Sequence, residues 1–382
     1  MSDSAVSTRT RWNSPRKFIL FHAARATEAD FFGEQSRDNC AQPFIALRKR
    51  CEELGYTLDV TKSHPLEECE WIIFWDVDSL GPMGAIEWLL QRAKRLAYHR
   101  PFRNLYREAL SSAHRPGMAL IVAEPPSISR RNLKTDVHGA MDVVLTWNET
   151  WLAGGGKYVR TILPITSDFP SPAVVDFDEK KLLVDISANK FSGHPAELYG
   201  QRREAIRYFE RRFPRDFDLY GVGWNKGRTW TLGRRLRTGD KHHYSSYRGP
   251  VAHKWDVMPR YRFAICYENA IFEDYVSQRI FDVLRCNCVP VYWGAPNIDK
   301  YVDPGAFVDR RHFSSNAELG DYLAGVGSIE YQSMIDAGRR YLETDRFRQF
   351  LGEAWGENLL SALSLGGKKS ASGDVDCGHV QL

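Results

Sequence analysis

The stretch Tyr261-Arg262-Phe263-Ala264-Ile265-Cys266-Tyr267-Glu268-Asn269, followed by residues 270–274 and then Tyr275-Val276-Ser277-Gln278-Arg279-Ile280-Phe281-Asp282, decides the fold. An apolar run of strand length delivers Glu268 and Asn269 into a loop, and the pattern then predicts a helix over 275–284 with Arg279 in its first or second turn. A second apolar run, 288–292, follows and stops at a turn over 294–297. Strand, helix and strand in that order form a βα unit of a parallel sheet.

The same alternation extends in both directions. Toward the amino terminus, residues 17–21, 58–60, 71–75, 118–123 and 143–146 read as strands. Residues 44–54, closed by Gly55, and 87–98 read as helices. Around 163–172 the pattern loosens into Pro, Ser and Asp, as a linker would. It restarts with a strand at 181–186, a helix at 197–213 and a strand at 217–220. A loop rich in Gly, Arg and His over 223–249 precedes a predicted helix over 251–261, and further helical segments run from 316 to about 355. The expected architecture is α/β, with two Rossmann-like domains facing across a cleft. Residues 1–165 make the first domain, 166–180 the linker and 181–345 the second. A helix over 346–364 can cross back, and 365–382 form a polar tail expected to be disordered.

Composition narrows the partners. Lys and Arg number 52 against 48 Asp and Glu, a net charge of +4 that is too weak for a nucleic-acid protein. Seven cysteines without a CxxC pair predict reduced, mostly buried thiols in a cytoplasmic protein. No run reaches the roughly 18 to 20 apolar residues that span a bilayer, so no transmembrane segment is expected, while basic surface patches would allow peripheral membrane association. The 13% aromatic content, with eleven Trp, serves core filling and ligand platforms equally well.

Several residues sit where chemistry is expected, because ligands of open α/β sheets bind at the carboxyl ends of strands. A helix amino terminus beside the Arg279 guanidinium suits a diphosphate, and Glu268 and Asn269 can fix ribose hydroxyls or a base edge. The alternative is that Asp274 only caps the helix and Arg279 is solvated. A second cluster runs from Ser187-Ala188-Asn189 to Arg202-Arg203-Glu204. Helix phase against Ile206, Phe209 and Phe213 favours Arg202 as the inward residue, without eliminating Arg203. Glu124 ends the strand 118–123 ahead of Pro125-Pro126, with Glu149, Asp76 and Asp78 as rival carboxylates after apolar runs. His22, at the end of the first strand, is a candidate acceptor contact.

Other features carry less. His242-His243 with Asp240 lacks a third ligand at metal spacing, which points to a mobile polar loop and to no metal site. Trp224, Trp230 and Arg228, Arg234, Arg235 and Arg237 form a basic aromatic loop that either covers phosphates or lies plainly on the surface. Gly154-Gly155-Gly156 reads as a turn.

The segment YRFAICYENAIFEDYVSQRIFDVL (261–284) followed by NCVPVYWGAPNIDKYVDPGAFVD (287–309) resembles the donor-binding signature of the α1,3/4-fucosyltransferases, glycosyltransferase family 10. The resemblance is strong over 252–313, looser over 181–225 and faint in the first half. It implies an inverting, metal-independent transferase of the GT-B type that takes fucose from GDP-fucose to a hydroxyl of a glycan acceptor. It further implies that Asn269 contacts the donor, that Tyr275 lies near the diphosphate and fucosyl ring, and that the Arg opening the helix after Ser187 binds phosphate. Glu124 falls where such proteins carry a Glu after a strand, and is expected to be the base. Arg279 stands where the family usually has Lys, and Gln278 where it usually has a ribose-binding Glu, departures that bear on the donor more than on the reaction class. Rival readings are a same-fold transferase using another nucleotide sugar and a non-catalytic glycan-binding relative. The expected linkage is α1,3 to a GlcNAc- or Glc-type sugar, and nothing distinguishes an N-acetylglucosamine-containing chain, a lipopolysaccharide, a protein-linked glycan or a free oligosaccharide as acceptor.

Overall fold

The computed structural model describes residues 18–23, 31–33, 36–60, 64–80, 104–225 and 242–365. The predicted helix over 87–98, most of the basic aromatic loop and nearly all of the tail lie outside the described residues.

Two parallel sheets organise the chain. The first contains β1 (Phe18–Ala23), β2 (Thr57–Asp59), β3 (Cys69–Trp75), β4 (Gly117–Val122), β5 (Val143–Thr146) and β6 (Tyr158–Arg160), in the order β2-β1-β3-β4-β5-β6. Helices α1 (Gln42–Glu53), α2 (Leu105–Ser111) and α3 (Glu149–Leu152) belong to this half. The second contains β7 (Lys181–Ile186), β8 (Phe217–Tyr220), β9 (Tyr261–Tyr267), β10 (Val289–Trp293) and β11 (Val308–Asp309), in the order β11-β10-β9-β7-β8. Its helices are α4 (Tyr199–Arg212), α5 (Gln278–Arg285), α6 (Asn316–Gly325) and α7 (Ser328–Leu342), followed by α8 (Asp345–Arg348) and α9 (Gly352–Ala362). Strand order reverses between β1 and β3 and again between β7 and β9, and such switch points open a crevice at the carboxyl ends of the strands.

Each sheet is buried on both faces, as its near-continuous apolar strands require. Ala205, Ile206 and Phe209 of α4 and Leu319 of α6 cover one face of the second sheet, and Ile280, Phe281 and Val283 of α5 cover the other with Tyr341 of α7. The chain then crosses back. Trp355, Leu359 and Leu360 of α9 pack with Ile19, Phe21 and Leu47 of the first half. The crossing strand lies beside the outgoing linker: Ile165 N–H donates to Phe350 O at 2.8 Å and Gly352 N–H to Ile165 O at 2.9 Å.

Two elements differ from expectation. Residues 251–261 form two short 3₁₀ turns, Lys254–Asp256 and Met258–Arg260, because Pro259 has no N–H to donate and disfavours helix at the residue before it. Helix α5 begins at Gln278, three residues later than the pattern suggests, because Asp274 takes a left-handed φ of 61° and Ser277 is the cap. The Gly154-Gly155-Gly156 turn is present, with φ of 62° and 68° at its second and third residues. Of the cysteines described, Cys40 is exposed, the other five are buried, and all are free thiols. Among the described residues no helix is long and apolar enough to cross a membrane.

The crossing depends on a glycine. A Cβ at Gly352 would lie 2.6 Å from Pro43 Cα, at the start of α1. Gly352→Ala is therefore expected to destabilise the fold by about 1–3 kcal/mol, read as a lowered urea midpoint.

Candidate active site

The carboxyl end of β9 delivers Glu268, which is fully buried. Its Oε1 accepts the Ser277 N–H at 2.8 Å and its Oε2 the Ser277 hydroxyl at 2.7 Å. Ser277 Oγ in turn caps α5 by accepting the Arg279 N–H at 3.4 Å. Arg279 Nε stands 3.8 Å from Glu268 Oε2, and its Nη2 donates to Asn269 Oδ1 at 3.1 Å. Burial works to lower the Arg279 pKa, but Glu268 and Tyr275 outweigh it and hold the guanidinium above its ordinary value. There is room for Glu268 only because residue 294 is glycine, where a Cβ would sit 2.4 Å from Glu268 Cγ.

Asn269 Nδ2 donates to the Tyr275 hydroxyl at 3.2 Å, and that hydroxyl donates across the cleft to Glu124 Oε2 at 3.4 Å. Tyr275 is set by its neighbour: Asp274 Oδ1 accepts from Asn297 Nδ2 at 2.8 Å and from the Tyr301 hydroxyl at 2.6 Å. Asp274 is therefore a loop anchor, and the helix cap is Ser277. Trp147, after β5, packs against Tyr275 and Phe272 at centroid distances of 5.4 and 5.8 Å.

Arg202 and Arg203 part company at α4. Arg202 is buried, and its Nη2 donates to the carbonyls of Tyr267 and Glu268. Burial, with the neighbouring Arg279 as the next cause, pushes its pKa down to about 10. Arg203 turns aside, donating to Lys190 O at 2.5 Å with its guanidinium 3.9 Å above the Phe191 ring. Nearby, both carboxylate oxygens of the fully buried Asp185 and the Ser187 hydroxyl lack a hydrogen-bond partner. Burial raises the Asp185 pKa, against the pull of Arg202. Trp224, read in sequence as part of a covering loop, is a buried support whose Nε1 donates to Ser187 O at 2.7 Å. Gln278 is exposed at the first position of α5.

Lys190 escaped the sequence reading. It follows Asn189 on the exposed lip of the β7–α4 loop. Desolvation lowers its ammonium pKa, Glu124 raises it, and Arg279 and Arg202 lower it further, so it stands among the cleft charges. Its place immediately after a Ser-Ala-Asn strand end was the available signal.

On the opposite wall, Glu124 has its pKa pushed up to about 7, first by burial and then by Asp76, with Lys190, Arg279 and the Tyr275 hydroxyl opposing. The rival carboxylates are engaged elsewhere. Glu149 pairs with Arg160, Asp78 accepts from Ser129 at 3.0 Å, and Asp76 accepts backbone N–H groups. His22 is buried, edge-on to Phe74. His242 is not in a loose loop, since it pairs with Glu210 of α4 and packs on Tyr244. Among the described residues no group of three or more His, Cys, Asp or Glu is placed to hold a metal ion.

Residues 238–334 match the family described as Glycosyltransferase family 10 (fucosyltransferase) C-term. The match covers about a quarter of the chain, the part that carries β9, α5 and β10. The chain is 35% identical over 71 residues to an α-(1,4)-fucosyltransferase of Arabidopsis thaliana, covering 19% of this chain and 18% of that protein. It is 33% identical over 73 residues to the α-(1,3)-fucosyltransferase FucT of Helicobacter pylori, covering 19% and 15%. The matched segments thus span under one fifth of either relative. In fold, it superposes on the crystal structure of an α1,3-fucosyltransferase with GDP over 94% of both chains, with a TM-score of 0.52 at 13% identity. The two parallel sheets have the GT-B arrangement.

Across the cleft the Glu124 carboxylate faces the Arg279 guanidinium and the capped end of α5, and Arg202 lies in the field of Arg279. Each guanidinium disfavours the other, so an incoming dianion such as a diphosphate relieves a repulsion already built in. Arg202→Leu is expected to weaken nucleoside diphosphate binding roughly tenfold to a hundredfold, the worth of a lost charged hydrogen bond. Arg203→Leu should leave it nearly unchanged. Calorimetric titration with GDP, UDP and ADP in turn checks both.

Proposed function

We propose that this chain is an inverting, metal-independent fucosyltransferase that moves L-fucose from GDP-fucose to a glycan hydroxyl, with α1,3 transfer to a GlcNAc- or Glc-type sugar as the expected linkage. The observation that carries the reading is the continuous line from Glu124 through the Tyr275 hydroxyl to Asn269 and Arg279, spanning both halves of the chain. Glu124 takes the proton of the acceptor hydroxyl as its oxygen attacks the anomeric carbon, and GDP departs from the opposite face. Arg202, Arg279 and the N–H groups opening α5 hold the growing charge on the leaving diphosphate, a task two guanidiniums can perform without a metal. Lys190 adds a third cation at the lip. Asn269, Ser187 and Gln278 frame the nucleotide, Tyr275 holds the sugar ring, and Glu268 fixes Arg279. Arg203 frames the loop through Phe191. His22, at the first sheet's switch point, is the acceptor-side candidate. We place the reaction in the cytoplasm, with the acceptor on a lipopolysaccharide, a protein or a free oligosaccharide.

Gln278 and Arg279 favour a second reading, transfer of another sugar by the same machinery. A nucleotide-sugar panel separates the two: release of nucleotide from GDP-fucose alone is expected, and release from another donor with none from GDP-fucose overturns the choice. Glu124→Gln is expected to lower kcat by roughly 10²- to 10⁴-fold, the usual worth of a general base. Because the base must be deprotonated, kcat/KM should rise with pH through about 7, where Glu124 titrates. A flat profile from pH 5 to 9 would exclude Glu124 from that role.

A further inference from the structure

Asp76 follows β3 at the first switch point, and its backbone is left-handed, with φ of 59°. A single oxygen of this buried carboxylate, Oδ1, accepts three N–H groups: Ala123 N at 2.8 Å, Glu124 N at 3.0 Å and Asn132 Nδ2 at 2.8 Å. Asn132, itself 1% exposed, also donates from Nδ2 to Glu124 O at 2.7 Å, and its Oδ1 accepts the Val77 N–H at 2.9 Å. The amide of Glu124 is thus held by Asp76 and its carbonyl by Asn132. The Asp76 amide closes the ring by donating to Ile121 O at 2.8 Å.

We propose that Asp76, with Asn132, is the positioning residue for Glu124: it fixes the Glu124 backbone where the carboxylate meets the Tyr275 hydroxyl, and it stands a second negative charge behind that carboxylate. The proposal rests on Glu124 being the base. The groups facing Glu124 are Lys190 from the β7–α4 loop, Arg279 of α5, Tyr275 ahead of α5, Tyr199 at the start of α4, and Asp76. The two cations acidify Glu124, and Asp76 is the anion of this set that opposes them. A base works best when its proton affinity lies near the working pH, so the charge at Asp76 has a chemical consequence beyond its hydrogen bonds.

Asn at position 76 tolerates the left-handed backbone and keeps an Oδ1 acceptor, but carries no charge. The experiment measures pH profiles of donor consumption, donor KM and thermal midpoints for wild type, Asp76→Asn, Asp76→Ala, Asn132→Ala and Glu124→Gln. Removing a like charge lowers the pKa of Glu124, so in Asp76→Asn the acid limb of kcat/KM should move to lower pH and the plateau of kcat should fall. Donor KM should stay within about twofold, because a transition-state contact is lost and not ground-state binding. Asp76→Ala also loses the acceptor and should drop kcat roughly 10²-fold, the cost of a misplaced catalytic group. Asn132→Ala keeps the charge and loosens the grip, so kcat should fall with the limb in place. An inactive Glu124→Gln together with an unmoved limb in Asp76→Asn overturns the proposal alone. A Glu124→Gln variant with wild-type activity overturns the base assignment, and this proposal with it.

Discussion

Two guanidiniums, Arg202 and Arg279, lie in one another's field inside a buried site, and much of the second half of the chain is arranged to hold them there. Buried like charges are tolerated only when their hydrogen-bonding capacity is met and counter-charge is near. Arg202 donates to the last carbonyl of β9 and the next one, so the strand end itself is its receptor. Arg279 leans on Glu268, which is pinned by the cap of the helix that carries Arg279. Strand end, carboxylate, cap and guanidinium form one closed unit. Gly294 is part of it, since any side chain there would push Glu268 away.

A site split between two halves also requires the halves to keep their places. The 3₁₀ segment at Lys254 supplies one fastening. Lys254 Nζ reaches Asp282 of α5 at 2.6 Å and Asp38 of the first half at 3.3 Å, and Asp38 also accepts the Lys254 N–H at 2.8 Å. Buried ion clusters of this kind add little net stability, but parting one member from the others leaves an uncompensated buried charge. Asp282 lies on the same short helix as Arg279, so the tie holds the helix that carries this guanidinium directly. The return of α9 to the first sheet supplies the second fastening through apolar packing.

The strands were legible in the sequence because each is a short apolar run bounded by polar or special residues. Residues 143–146, 181–186 and 217–220 match β5, β7 and β8 to the residue. Helix ends were harder, since apolar period extends past the cap: Tyr275 and Val276 continue the pattern of α5 although Ser277 starts it. The choice between Arg202 and Arg203 needed three dimensions, because phase favours one face without excluding the other. Contacts between distant segments had no sequence signal at all. Asp76 and Asn132 are 56 residues apart, and Asp38 and Lys254 are 216 apart. Asp76 follows an apolar run and Asp38 lies in a polar stretch, and only the fold turns each toward its partner.

The two walls of the cleft share a logic with opposite sign. Around Arg202 and Arg279 positive charge is crowded, which raises the free energy of the empty site. Around Glu124 and Asp76 negative charge is crowded, and a proton is held more tightly than either carboxylate would hold it in water. In the proposed reaction each participant relieves one of these tensions: the donor diphosphate enters between the guanidiniums, and the acceptor proton arrives between the carboxylates. Negative charge grows on the leaving diphosphate while it disappears from the base, so both walls become more stable along the same coordinate. Such fields act fully only if their sources cannot relax, which is what the Asp76 grip, the Glu268 cap and the strand-end carbonyls prevent. The electrostatics of the cleft follows from backbone hydrogen bonding at strand ends: the groups that follow β4 and β9 are the groups that orient the charges.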